Sequence, residues 1–144
     1  MPELARGLNV PLFDRLRAED GTASVHQQHL LVSRSAVQES IGRELQRLFN
    51  TRRASGGALV AGPDATVLDY GIPDFSPLSV HSGPDRDALA AGIADAIRWF
   101  EPRLSQPKVQ VLPPRDPGGP VIVLVTGDAL IETRVERVAF DMPL

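Results

Sequence analysis

The feature that most limits what this chain can fold into is the proline at position 102, which closes its strongest helical repeat. Leu89, Ile93, Ile97 and Phe100 recur at the spacing that lines one helical face. Gly83 suits the N-cap, Pro84 the first turn, and Asp85 and Asp87 the positive end of the dipole. Proline has no backbone donor and drives the preceding residue out of the α region, so the helix stops at or just before Glu101. Glu101 and Arg103 then sit on either side of a residue with fixed φ. That restriction lowers the entropy lost when a partner binds, which predicts a docking device. The alternative is a local ion pair closing the helix, worth about 0–1 kcal/mol if exposed.

A second helix is predicted from about Ser35 to Phe49, where Val37, Ile41, Leu45 and Leu48 share a face and Ser35 with Gln38 forms a capping-box pattern. Asn50 suits its C-cap. Arg52 and Arg53 suit the negative end of its dipole, or else form a second cationic docking point.

Residues 54–66 read as a Gly-rich connector without the lysine or spacing of a phosphate-binding loop. Val67–Tyr70 reads as a short strand, and Gly71 to Phe75 as a turn burying Ile72 and Phe75. Strands follow at Val109–Leu112, at Val121–Val125, which reads as buried on both faces, and at about Thr133–Phe140. Gly127-Asp128 reads as the end of the middle strand, and Pro113 to Pro120, with four prolines and two glycines, as an exposed tip. The charges of the last strand suit a sheet edge, which is also where a partner strand can be added. The fold class expected is α+β: two main helices on a small mixed or antiparallel sheet in one domain of residues 33–144, preceded by a flexible N-terminal arm of residues 1–32.

Composition narrows the function. At 144 residues one core suffices, and a net charge of −3 with interspersed signs leaves no basic footprint for nucleic acid. Without cysteine there is no disulfide framework, thiolate nucleophile or thiolate metal site. No stretch approaches the about 20 apolar residues of a membrane span, and no basic, apolar leader opens the chain, so a soluble, unexported protein with no direct membrane insertion is expected. His26 and His29 have helical metal-ligand spacing but lack a third ligand nearby, and no cofactor fingerprint occurs. All basic residues but Lys108 are arginine, the cation favoured in interface ion pairs; a genome rich in G and C would produce the same bias.

Five strings in order, Leu12-Phe13-Asp14-Arg15-Leu16, Leu45 to Arg53, Val67 to Phe75, Phe100-Glu101-Pro102-Arg103-Leu104 and Val138-Ala139-Phe140-Asp141, resemble the TssE family. These are lysozyme-like baseplate wedge subunits of bacterial type VI secretion, related to a contractile phage tail wedge protein. The resemblance spans almost the whole chain. It implies a structural, non-enzymatic subunit of a cytoplasmic baseplate assembled at the inner membrane. There it would join the wedge subunits TssF, TssG and TssK and help start a sheath of TssB and TssC, with Glu101, Pro102 and Arg103 as the docking signature and the C-terminal strands as an attachment surface. It also implies that Arg103→Ala leaves the fold intact while abolishing assembly. A phage-tail baseplate component is an alternative setting. Gly42, inside the first helix, and the Pro113 to Pro120 tip depart from the family's usual appearance.

The rival from another class is peptidoglycan-cleaving glycoside hydrolysis. That chemistry usually needs two carboxylates about 5–5.5 or 6.5–9.5 Å apart, one holding its proton. Asp69, Asp74 and Glu101 are the candidates; turn capping accounts for the first two, and Arg103 beside Glu101 favours the charged carboxylate, the wrong form for a general acid.

Overall fold

A computed structural model describes residues 34–53, 66–131 and 133–144. The proposed arm, His26 and His29, and most of the 54–66 connector lie outside the described residues. Helix α1 is Arg34–Phe49, helix α2 is Gly83–Phe100, and the strands are β1, Leu104–Leu112, β2, Ile122–Ile131, and β3, Arg134–Pro143. The sheet is wholly antiparallel in the order β1-β2-β3, which makes the chain an α+β domain of two helices on a three-stranded sheet.

Alternation on β2 places the core. Val123, Val125, Ala129 and Ile131 are buried, and their neighbours Ile122, Leu124 and Leu130 are not, so the helices cover one face of the sheet and, among the described residues, no helix covers the other. The expectation of a strand buried on both faces is thereby corrected. Against the covered face pack Val37, Ile41, Leu45 and Leu48 of α1 and Leu89, Ile93, Ala96 and Ile97 of α2.

Several predicted boundaries move for local reasons. Ser82, not Gly83, caps α2, its hydroxyl accepting from Asp85 N–H at 3.4 Å. Ser35 lies inside the first turn of α1 rather than at its cap. Val67–Asp69 is a 3-10 turn, not a strand, because Thr66 and Asp69 form a reciprocal capping box. β1 begins at Leu104, five residues before the predicted start; it passes Pro107 by a register shift between Ser105 and Lys108, with Gln106 at φ 49°. Gly127-Asp128 does not end β2. A Cβ at Gly127 would lie 2.7 Å from the Leu104 side chain, so glycine is there to let β1 pass closely.

Gly42 has a simpler explanation. A Cβ built there would meet the Phe140 ring of β3 at 3.5 Å, an ordinary contact, and its φ is not positive. Gly42→Ala should therefore raise stability by about 0.5–1 kcal/mol through helix propensity, seen as a higher urea midpoint at unchanged m-value.

Candidate functional site

Three residues connect α2 to β1, and the chain reverses through them. Glu101 N–H donates to Ile97 O at 2.8 Å, which ends the helix, and Leu104 N–H donates back to Glu101 O at 3.1 Å, which closes a turn with Pro102 at its second position. The Glu101 carboxylate folds inward. Its Oε1 accepts from Arg103 N–H at 3.2 Å and from Arg103 Nε at 2.8 Å, and its Oε2 accepts from Nη2 at 2.5 Å. Arg103 Nη1 donates to the buried Ser40 hydroxyl of α1 at 2.9 Å. Glu101 is 2% exposed and the Arg103 side chain 15%, whereas Pro102 is exposed.

The picture of two charges displayed beside a proline is corrected by this geometry. A buried carboxylate is tolerated only when its oxygens are filled by donors, and the two-residue spacing across Pro102 lets one guanidinium fill both. The local ion pair is realised, but it is buried and clamps the end of α2 to α1 through Ser40. What the corner presents outward is Pro102 and the narrow exposed edge of Arg103.

A parallel connection was not visible in the sequence. Tyr70 Oη donates to Glu44 Oε1 at 3.2 Å, and Glu44 Oε2 accepts from Arg47 Nη1 at 2.7 Å. The Tyr70 ring meets Phe100 edge-on, centroids 5.1 Å apart. Ser40, Glu44 and Arg47 lie at helical spacing along α1; nothing in that spacing distinguishes them from an ordinary polar stripe. Burial, with the Glu44 carboxylate beside it, pushes the Tyr70 hydroxyl up to about 12. A phenol that keeps its proton better in the folded state adds stability fully present below pH 10 and lost as pH rises towards 12. Alkaline titration of unfolding midpoints should show that fall, and Tyr70→Phe should flatten it.

Arg52 and Arg53 belong to the end of α1. Arg52 Nη1 donates to Phe49 O at 3.1 Å and its guanidinium lies 4.1 Å over the Phe75 ring. Arg53 N–H donates to Ile72 O at 3.0 Å, and Ile72 N–H to Thr51 O at 2.9 Å, a parallel bridge tying the segment after Tyr70 to α1. Arg52 thus neutralises a helix C-terminus while remaining exposed.

The carboxylates weighed for hydrolysis each serve a local hydrogen bond. Asp69, buried, accepts from Thr66 N–H at 2.8 Å and Thr66 Oγ at 3.0 Å. Asp74, exposed, accepts from Ser76 N–H at 3.0 Å and Ser76 Oγ at 2.7 Å, and the backbone bond from Ser76 holds its carboxyl below the usual range. Glu101 is the clamp already described.

The two sheet edges differ. β1 carries the irregularity at Gln106 and the donor-less Pro107, whereas β3 pairs with β2 in unbroken register for ten residues. Among the described residues no strand pairs with the outer edge of β3. No described helix is long and apolar enough to cross a membrane.

The fold has a solved counterpart. A chain of a structure titled the baseplate complex from the type VI secretion system superposes with a TM-score of 0.55 at 20% identity, over 76% of this chain and 95% of that one. No curated protein matches the chain. The family model for baseplate wedge protein gp25 matches residues 35–135, from the first turn of α1 to the start of β3 and across the whole Glu-Pro-Arg corner. On that match the chain belongs to the baseplate wedge protein gp25 family.

Proposed function

We propose that this chain is a non-catalytic structural subunit of a type VI secretion baseplate, that it docks onto neighbouring wedge subunits through the Glu101-Pro102-Arg103 corner, and that it helps initiate the contractile sheath. The observation that carries the reading is the buried, bidentate Glu101–Arg103 pair, which fixes the backbone around an exposed Pro102. A rigid corner loses little entropy on docking. Glu101 acts in this reading as a brace, and Pro102 with the outer edge of Arg103 makes the contact. Arg52, exposed, and Arg53 form a second, cationic point for carboxylates of a partner. The outer edge of β3, unpaired among the described residues, suits pairing with a strand from a sheath subunit.

The partners proposed are TssF, TssG and TssK in the wedge and TssB and TssC in the sheath, in a cytoplasmic baseplate gathered at the inner membrane. Residues 33–144 would form the wedge domain and residues 1–32 an arm. The absence of catalysis is supported by the local engagement of all three carboxylates weighed for it.

Affinity purification of the full chain from its native cells, with mass spectrometry, should retrieve wedge and sheath subunits. Pro102→Gly, which frees the corner without unpairing a charge, should reduce that recovery by about tenfold while the protein stays folded. Equal recovery, or cell-wall hydrolysis abolished by Glu101→Gln, would overturn the proposal.

A further inference from the structure

We infer that α1 carries a carboxylate-binding site of its own, a cationic cleft that takes a short acidic segment of another protein. The cleft lies on the side of the helix turned away from Ile41, Leu45 and Leu48, measures about 430 Å³ and is lined by Arg43, Gln46, Arg47, Asn50 and Thr51. Pockets for small organic ligands are mostly apolar. Here two guanidinium groups, two carboxamides and a hydroxyl form the wall, and among the described residues none of the lining side chains is a carboxylate.

Two arrangements prepare this side of α1 for an anion. Glu44, the acidic residue beside the cleft, has both oxygens engaged: Oε1 accepts from Tyr70 Oη at 3.2 Å and Oε2 from Arg47 Nη1 at 2.7 Å. It fixes the Arg47 guanidinium through a carboxylate that is itself held, so less freedom is lost when an anion arrives. The C-terminus of a helix ordinarily repels anions, because its last four carbonyls have no donor within the helix. In α1 all four are filled. Gln46 O accepts from Asn50 N–H at 3.0 Å, Arg47 O from Thr51 Oγ at 2.9 Å, Leu48 O from Thr51 N–H at 3.2 Å and Phe49 O from Arg52 Nη1 at 3.1 Å.

Charge and length name the occupant. From Arg43 to Asn50 the cleft runs about 10 Å along the helix, the length of about three extended residues. The planar fork of arginine matches a carboxylate, and Gln46 and Asn50, both exposed, offer amide N–H donors at the rim. A nucleic acid would need several phosphates neutralised along its backbone, which two arginines on two helical turns do not supply. The site is separate from the Glu101-Pro102-Arg103 corner, whose guanidinium is turned to Glu101 and Ser40, and it does not depend on the wedge reading.

The test is fluorescence anisotropy of a labelled hexaglutamate with blocked ends, titrated with the full chain. The wild type should bind it at low ionic strength and release it as salt is raised. Arg43→Gln, which leaves the Glu44–Arg47 pair in place, and Gln46→Glu, at an exposed position, should each weaken binding about tenfold. Gln46→Glu should keep its melting temperature within about 2 °C. Arg115→Gln, the same change of net charge on the exposed Pro113 to Pro120 tip, should bind as the wild type does. An equal loss in Arg115→Gln, equal binding by the wild type and Gln46→Glu, or a wild type that ignores the peptide would each overturn the site. Tighter binding of hexathymidylate than of hexaglutamate would overturn the protein partner in favour of phosphates. Self-association of the wild type at low salt that Gln46→Glu abolishes would replace the foreign partner with a second copy. Recovery of wedge subunits is a separate readout, and its failure would leave this site standing.

Discussion

Arg103→Ala is expected to lower the unfolding free energy by about 3–5 kcal/mol, against the expectation that it leaves the fold intact. The loss does not come from the attraction alone. Without the guanidinium, a carboxylate that is 2% exposed loses donors at 2.8 and 2.5 Å and keeps only the Arg103 N–H at 3.2 Å, and the Ser40 hydroxyl loses its partner on β1's side of the turn. An uncompensated buried charge is among the few single changes that destabilise so strongly. Urea unfolding of Arg103→Ala should show the loss directly. The double variant Glu101→Leu/Arg103→Met should regain most of it, because removing both charges leaves none stranded. A small loss in Arg103→Ala, under about 1 kcal/mol, would mean the pair behaves as a surface salt bridge. The double variant also separates stability from recognition: folded as stably as the wild type yet poor at recovering wedge subunits, it would show that the charged corner matters to assembly beyond its stability.

What the sequence discloses of the corner is local, and what it withholds is tertiary. The helix and its stop were legible, because periodicity and the chemistry of proline act locally: α2 ends at Phe100 with Glu101 as its cap, where Pro102 requires. The α1 core face was equally plain, and Val37, Ile41, Leu45 and Leu48 are all buried. The direction of the Glu101 side chain was not legible, since it depends on Ser40, 63 positions away from Arg103. The same holds for Tyr70, whose partner Glu44 is 26 positions distant. Strand ends were misplaced where a local rule met a tertiary exception. Pro107 has no backbone donor, yet a bulge on an edge strand accommodates it, and Gly127-Asp128 reads as a break because only the folded chain shows Leu104 lying against Gly127. The resemblance supplied the role of the Glu-Pro-Arg signature but not its orientation, and the orientation decides which of its residues a partner can touch.

Gly71→Ala should be nearly as damaging, with a loss of about 2–5 kcal/mol, although no contact energy would predict it. Gly71 has φ 118°, a conformation L side chains rarely adopt and one that costs of order 1–3 kcal/mol. A Cβ there would stand 2.6 Å from Thr51 O and 2.9 Å from Arg53 N. Those two atoms belong to residues 51 and 53, which grip Ile72 on either side through the 2.9 and 3.0 Å bonds of the parallel bridge. The backbone must move to admit a methyl group, and any movement opens the bridge, displaces the fully buried Ile72 and slackens the turn that carries Val67 and Leu68. Thermal unfolding of Gly71→Ala should drop by about 5–15 °C relative to wild type, taking a few degrees per kcal/mol for a domain of this size. Gly118 is the control. Its φ is also positive, at 79°, but a Cβ there would meet nothing within 4 Å, so Gly118→Ala isolates the backbone strain and should lose only about 1 kcal/mol. Equal losses in the two variants would show that the close approach at Gly71 contributes nothing, and that the grip of residues 51 and 53 on Ile72 is looser than the bond lengths require.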